Sequence, residues 1–296
     1  MTESDDQTPW VLLQTDTNRS VISDASLVLT AMDIANRSDR NTYEWLLYVP
    51  SASEDVAKRQ LELYRRENTP ITLPKVLRVD TGWSGVVGYL LVIWSIPALA
   101  GMFTEIDWRS AGQMDVTLVS LGEWWRLFCA LTLHADLPHI VANSFFGAVF
   151  GLMVGRHLGS GFGWLLVLLA GGLGNGLNAF FRPEGFLSLG ASTATFAEVG
   201  LVAAYVVARG YFRGGGFRRN AAPIFGAIAL LAFTGVSGAR TDILAHCAGL
   251  FAGIVLGAAA SSFDVRRLGK SGQWIAAGIT VGLLMTAWSL AIEALN

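Results

Sequence analysis

Apolar and polar positions are distributed unevenly along the chain, and the texture changes near residue 80. Before that point, short apolar runs alternate with polar stretches. VLLQ at 11–14 and YEWLLYV at 43–49 are short and rich in strand-forming residues, which predicts two strands. SDASLVLTAMDIA at 23–35 places apolar residues at helical spacing, with Ser23 or Asp24 as the N-cap. SASEDVAKRQLELYRREN at 51–68 predicts a second helix, opened by a Ser51–Glu54 capping box. The order strand, helix, strand, helix predicts a small soluble α/β domain over residues 1–70. Pro70 and Pro74 then mark a linker over 71–83.

From residue 82 onward the apolar runs lengthen to membrane-spanning size. Seven candidate spans cover roughly 84–103, 138–155, 162–181, 191–211, 221–238, 242–260 and 273–293. Each is long enough to cross a hydrocarbon core of ~30 Å. An amphipathic connection rich in Trp, Asp and Glu joins the first two. The expected fold class is an all-α polytopic membrane bundle with a small soluble α/β N-terminal domain. Its six-helix core spans 84–260, and residues 261–296 form a connector and an additional C-terminal transmembrane helix.

Composition agrees with this pattern. The chain of 296 residues is 52% hydrophobic and 15% charged, with a mean hydropathy of +0.46, as a polytopic membrane protein requires. A formal net charge of −2 gives no nucleic-acid signal. Cys129 and Cys247 lie in apolar surroundings without CxxC spacing, which predicts two small buried packing residues. The acidic MTESDDQTPW start has no basic region followed by an apolar core, so it does not read as a signal peptide. Arg156, Arg209, Arg213, Arg218, Arg219, Arg266, Arg267 and Lys270 fall on one side of the spans. Arg109, Arg126, Arg182 and Arg240 fall on the other. The positive-inside rule puts the first set and the N-terminus in the cytoplasm, and the C-terminus outside. The expected location is a bacterial inner (cytoplasmic) membrane.

Three of the spans carry small-residue stripes at helical spacing. His139, Asn143, Gly147, Gly151 and Gly155 share one face of the second span. His246, Gly249, Gly253 and Gly257 share a face of the sixth. In the fourth, Ser192 leads into Phe196, Gly200 and Ala203 or Ala204. Such stripes let membrane helices approach closely. All three spans start on the non-cytoplasmic side, so Ser192, His139 and His246 are expected at similar depth near the outer leaflet. A serine hydroxyl becomes a nucleophile when an adjacent base takes its proton, and histidine is the usual base near neutral pH. Asn143 and His139 are candidate donors to a developing oxyanion, together with the Ser192 N–H at a helix start.

LGEWWRLFCALTLHADLPHIVANSFF at 121–146, GASTATF at 190–196 and AHCAGLFAG at 245–253 resemble the rhomboid intramembrane serine proteases. The resemblance covers about 85–260. It implies a rhomboid-like six-helix core in a six-plus-one arrangement and a catalytic Ser192–His246 dyad without a third acid. It also implies oxyanion or substrate contacts from His139 and Asn143. Trp125 and Arg126 match the family's WR element, and His134 matches a further structural histidine. Phe196, Gly249 and Gly253 are expected to support the site. The implied activity is a serine endopeptidase cleaving transmembrane segments of other membrane proteins within the lipid bilayer, with no metal and no cofactor. Two positions depart from the family pattern. Thr193 stands where a glycine usually follows the serine, and Phe196 stands where a tyrosine is common.

Other chemistries fit less well. Four histidines do not supply the facing pairs of a bis-histidine haem, and no HExxH motif supports a membrane zinc protease. GGLGNG at 171–176 follows no strand and is no phosphate loop. The alternative function is a catalytically inactive rhomboid-like protein that binds membrane clients. A transporter built around Glu198 would need inverted repeats, which are not found. Glu198 lies six residues past Ser192, about 120° around the helix and about 9 Å along it. Its expected role is interhelical bonding, with Asn175, Asn178 or a group on the seventh span as partner.

Overall fold

The computed structural model describes residues 9–68, 78–211 and 242–295. They belong to two compact units, Met1–Thr72 and Leu73–Asn296. The candidate span at 221–238 lies outside the described residues.

In the first unit, β1 (Trp10–Asp16), β2 (Arg37–Arg40) and β3 (Trp45–Pro50) form an antiparallel sheet of order β1-β3-β2. The helices are α1 (Arg19–Ala31) and α2 (Glu54–Glu67). Alternation along β3 turns Leu47 and Val49 inward, where they meet Ile22, Ala25 and Leu29 of α1 and Ala57 and Leu61 of α2. The expected strand-helix-strand-helix order omits β2, an edge strand whose RSDR sequence is exposed throughout. It has no apolar alternation to announce it. The helix starts also differ. Asn18, not Ser23 or Asp24, caps α1 by accepting from the Ser20 N–H. The Ser51–Glu54 capping box does not form, because Ser51–Ser53 winds as a 3₁₀ turn before α2 begins at Glu54.

The second unit is a helical bundle. Its long helices are α3 (Trp83–Met102), α7 (Leu137–Leu158), α8 (Phe162–Phe181), α9 (Ser192–Ala208), α10 (Ile243–Ala260) and α11 (Gly269–Glu293). Among the described residues, five stretches are long and apolar enough to cross a membrane, and α9 is shorter. Its 17 residues rise about 25 Å, so it stops short of a full crossing. Twelve of those residues are buried, which makes α9 the centre of the bundle.

The amphipathic connection folds into α4 (Trp108–Gly112), α5 (Val116–Ser120) and α6 (Arg126–Cys129). A two-residue strand, β4 (Met114–Asp115), pairs with β5 (Leu187–Ser188) just before α9. Trp108, Cys129 and Leu133 pack with Trp288 of α11, whose indole N–H donates to Thr132 Oγ1 at 3.1 Å. Cys129 is buried, and burial pushes its thiol up to about 12. Cys247, expected to be buried, is instead exposed on α10. An apolar helix surface in lipid needs no protein neighbour, so apolar surroundings in sequence do not imply burial there.

Candidate active site

The approach to α9 is shaped by Gly190, whose φ of +137° is rarely open to residues with a side chain. Its N–H donates to the Ala130 carbonyl at 2.8 Å. A Cβ placed there would lie 2.8 Å from the His139 ring and 3.6 Å from Ser192 Oγ. The missing side chain therefore lets the His139 imidazole and the Ser192 hydroxyl border one small space. Asp136 caps α7 and Asp242 caps α10, but no side chain caps α9. Backbone N–H groups in the first turn of α9 thus have no intrahelical partner.

His246 Nε2 stands 2.9 Å from Ser192 Oγ. The imidazole stacks on Phe196, one turn below the serine, with ring centroids 4.4 Å apart and planes inclined by 21°. His246 Nδ1 is buried and has no hydrogen-bond partner among the described residues. This closeness depends on the glycine face of α10. A Cβ on Gly249, Gly253 or Gly257 would lie 2.2, 2.2 or 2.3 Å from the carbonyl oxygens of Thr193, Ala197 and Leu201. Gly200 of α9 answers from the other side, 2.2 Å from the Leu250 oxygen by the same construction. The two helices therefore touch backbone to backbone over four contacts, a spacing that larger residues would abolish.

His139 and Asn143 lie one turn apart on α7. His139 Nδ1 accepts the Ala135 N–H at 3.4 Å, which assigns the proton to Nε2 in the neutral ring. Its ring meets His134 edge to face at 5.1 Å. Burial and the neighbouring His139 push His134 down to about 3, so that imidazole is neutral at ordinary pH. Asn143 is buried, and its backbone carbonyl accepts from the Tyr89 hydroxyl at 2.9 Å. Its amide Nδ2 has no partner among the described residues. The lower part of the α7 stripe serves packing: Gly147 meets Tyr89, Gly151 meets Trp164 and Gly155 meets the Gly82 backbone.

Arg126 is a buried staple of the connection after α3. It donates to Glu123 at 2.5 Å and to the carbonyls of Ser110 and Gln113 at 2.8 and 3.0 Å. Trp125 packs against the Trp108–Trp288 cluster. Thr193 is buried, and its methyl group lies along Gly174 and Gly249 in the seam of α8 and α10. Its bulk is thus taken up by glycines on two helices.

A polar group not singled out in the sequence holds the start of α10. Asp242 accepts from Arg182 and Asn178 at 2.6 Å each, and caps the Ala245 N–H at 3.2 Å. Burial opposes its charge, but Arg182, the Ala245 N–H and Asn178 outweigh that and hold the carboxyl below the usual range. The available signal was an Asp directly before an apolar run, four residues ahead of His246.

Glu198 is fully buried, and both its oxygens lack a hydrogen-bond partner among the described residues. The two asparagines named as expected partners are engaged elsewhere. Asn175 donates to the Leu127 carbonyl at 2.8 Å, and Asn178 donates to Asp242. Tyr89 of α3 is the polar neighbour within electrostatic reach.

Comparison with known proteins agrees with this architecture. Residues 121–263 match the rhomboid domain. The chain is 37% identical over 90 residues to the rhomboid protease GluP of Bacillus subtilis, covering 30% of this chain and 17% of that one. It is 32% identical over 145 residues to the rhomboid-like protease 2 of Toxoplasma gondii, covering 47% and 49%. It is 30% identical over 187 residues to the mouse rhomboid-related protein 2, covering 56% and 58%. In each case the matched segment spans less than two thirds of the relative's length. The apolar helices and this domain define an integral membrane protein. The chain belongs to the rhomboid family, and several of its relatives are named as proteases.

Proposed function

We propose that the protein is an intramembrane serine endopeptidase acting on transmembrane segments of other membrane proteins. The observation that carries this reading is the 2.9 Å approach of Ser192 Oγ to His246 Nε2, with the imidazole stacked on Phe196. His246 takes the Ser192 proton as the hydroxyl attacks the scissile carbonyl, then returns it to the leaving amine. The same histidine next activates water to hydrolyse the acyl-enzyme. Asn143 Nδ2, His139 Nε2 and backbone N–H groups at the start of α9 supply donors for the oxyanion. Trp125, Arg126, Gly249 and Gly253 hold the surrounding elements. The excess of Arg and Lys on one side of the spans supports a cytoplasmic N-terminal unit, with the site toward the outer leaflet.

Reconstitution with a model transmembrane substrate tests the proposal. Wild type is expected to release fragments and to react with a fluorophosphonate probe, and Ser192→Ala to do neither. Cleavage that persists in Ser192→Ala overturns the mechanism. A folded wild-type protein that neither cleaves nor labels is instead a client-binding relative without catalysis.

A further inference from the structure

A second cavity lies behind α9, away from the serine–histidine pair. It measures about 610 Å³, within the ~300–1,000 Å³ typical of ligand pockets. α3 and α11 form its two sides, and Trp164, Val167 and Leu168 of α8 form the floor. Ala191 and Ala194 close the far end, so the space reaches the back of the helix that starts at Ser192. From Lys270 to Leu284, both on its wall, α11 rises about 21 Å.

The two ends differ chemically. Most of the length is apolar, through Val92, Ile93, Val281 and Leu284. Asp80, Ser160, Arg266, Lys270 and Gln273 gather at the opposite end. The acceptors there are already used. Asp80 takes the N–H groups of Gly82 and Ser160, and Gln273 Oε1 takes those of Gly161 and Phe162. The donors are not all used. Ser160 Oγ and Trp164 Nε1 are buried without a hydrogen-bond partner, and Lys270 is exposed with no salt bridge, among the described residues. Trp274 stands exposed at the same end, as a residue at a headgroup layer does. Surplus donors and a cation at one end of an apolar slot complement an acceptor-rich anion joined to a hydrocarbon chain.

We propose that this slot is a binding site for one anionic phospholipid. Its phosphate sits at Lys270 and Ser160, and one acyl chain lies between α3 and α11. The site is independent of peptide cleavage, so its test requires no substrate.

The full chain is purified into detergent with equimolar phosphatidylglycerol and phosphatidylcholine of matched chains, and native mass spectrometry counts bound lipid. Gly88 lines the slot, and a Cβ there meets nothing within 4 Å, so Gly88→Phe adds bulk at the slot wall from a position with room for a side chain to start. Lys270→Glu reverses the charge at the headgroup end. Wild type is expected to retain one phosphatidylglycerol with at least about fivefold preference over phosphatidylcholine. Both variants, each eluting as a folded monodisperse species, are expected to lose that preference. Equal retention of the two lipids by wild type overturns the proposal, and so does a preference that survives in either variant. Failure of cleavage in the Ser192→Ala comparison has no bearing on this readout.

Discussion

Two contacts in the membrane unit use glycine to bring helices together, and they do so differently. Along α9 and α10, Gly249, Gly253 and Gly257 meet three successive carbonyls at four-residue intervals. Where α11 meets the start of α8, Gly159 and Gly161 close on the single residue Gln273. Gln273 Oε1 accepts from the Gly161 and Phe162 N–H groups at 2.9 Å, and Nε2 donates to the Leu158 carbonyl at 3.2 Å. A repeated backbone contact fixes both the rotation and the axial register of a helix pair. A single side-chain clamp fixes one point and lets the helices diverge beyond it. The first suits a hydroxyl and an imidazole that must keep hydrogen-bond distance. The second leaves the opening between α3 and α11.

Substitutions separate the two designs. Gly253→Leu is expected to have the largest effect, because even its Cβ would lie 2.2 Å from the Ala197 oxygen. Overpacking of this kind costs about 3 kcal/mol and pushes the helices apart. Cleavage should fall below detection, and the melting temperature in detergent should drop. Retained cleavage would show that the seam does not set the pairing. Gln273→Ala should be milder. It removes three hydrogen bonds at one point, costs about 2 kcal/mol, and leaves Ser192 and His246 in place. Melting should shift while kcat changes less than about twofold. A kcat loss equal to that of Gly253→Leu would erase the distinction between the contacts.

Legibility followed the same division. Span length is imposed by the bilayer, so Phe162–Phe181 was readable to the residue. Glycine stripes were readable as faces because helical spacing is periodic, and Ser192 and His246 were picked out at the heads of two of them. Interactions between distant segments left no periodic trace. Arg182 and Asp242 are sixty residues apart, and the β4–β5 pair joins two dipeptides across the connection. The short helices α4 to α6 fall below the length at which apolar spacing identifies a helix. Glu198 was noticed as an anomaly, but its surroundings depend on packing that spacing does not encode. The N-terminal caps failed for a local reason: several Ser, Asp and Asn residues compete within a few positions, and tertiary docking selects among them.

Within the seam, Phe196 has a narrower task than the glycines. Its ring stacks on His246 and lies among Val199, Phe146, Phe150 and Leu250, while the glycines make the backbone-to-backbone contacts. Phe196→Leu keeps apolar bulk and removes the stack, worth about 1 kcal/mol. That converts to roughly a fivefold lower kcat with KM unchanged. Phe196→Tyr preserves the stack and should stay near wild type. Equal losses in both variants would mean that the stack on His246, which tyrosine keeps, does not set kcat.

The smallest effect concerns the anchor of α10. Asp242 holds its carboxyl below the usual range through Arg182, the Ala245 N–H and Asn178. A depressed carboxylate contributes stability above its unfolded pKa of about 3.9 and loses it as pH falls through the folded value. The contribution is about 1 kcal/mol, because Arg182 remains partly open to solvent. Asp264 is also held low, at about 2 beside Arg266, so wild-type melting alone cannot assign an acid transition. The difference between wild type and Asp242→Asn does assign it. Asparagine keeps the cap acceptor but has no charge to lose, so the gap in melting temperature should be widest near pH 7 and close below pH 4. Curves that stay parallel across that range would remove Asp242 as an electrostatic anchor. The start of α10, and with it His246, would then be held by the cap hydrogen bond and packing, without a contribution from charge.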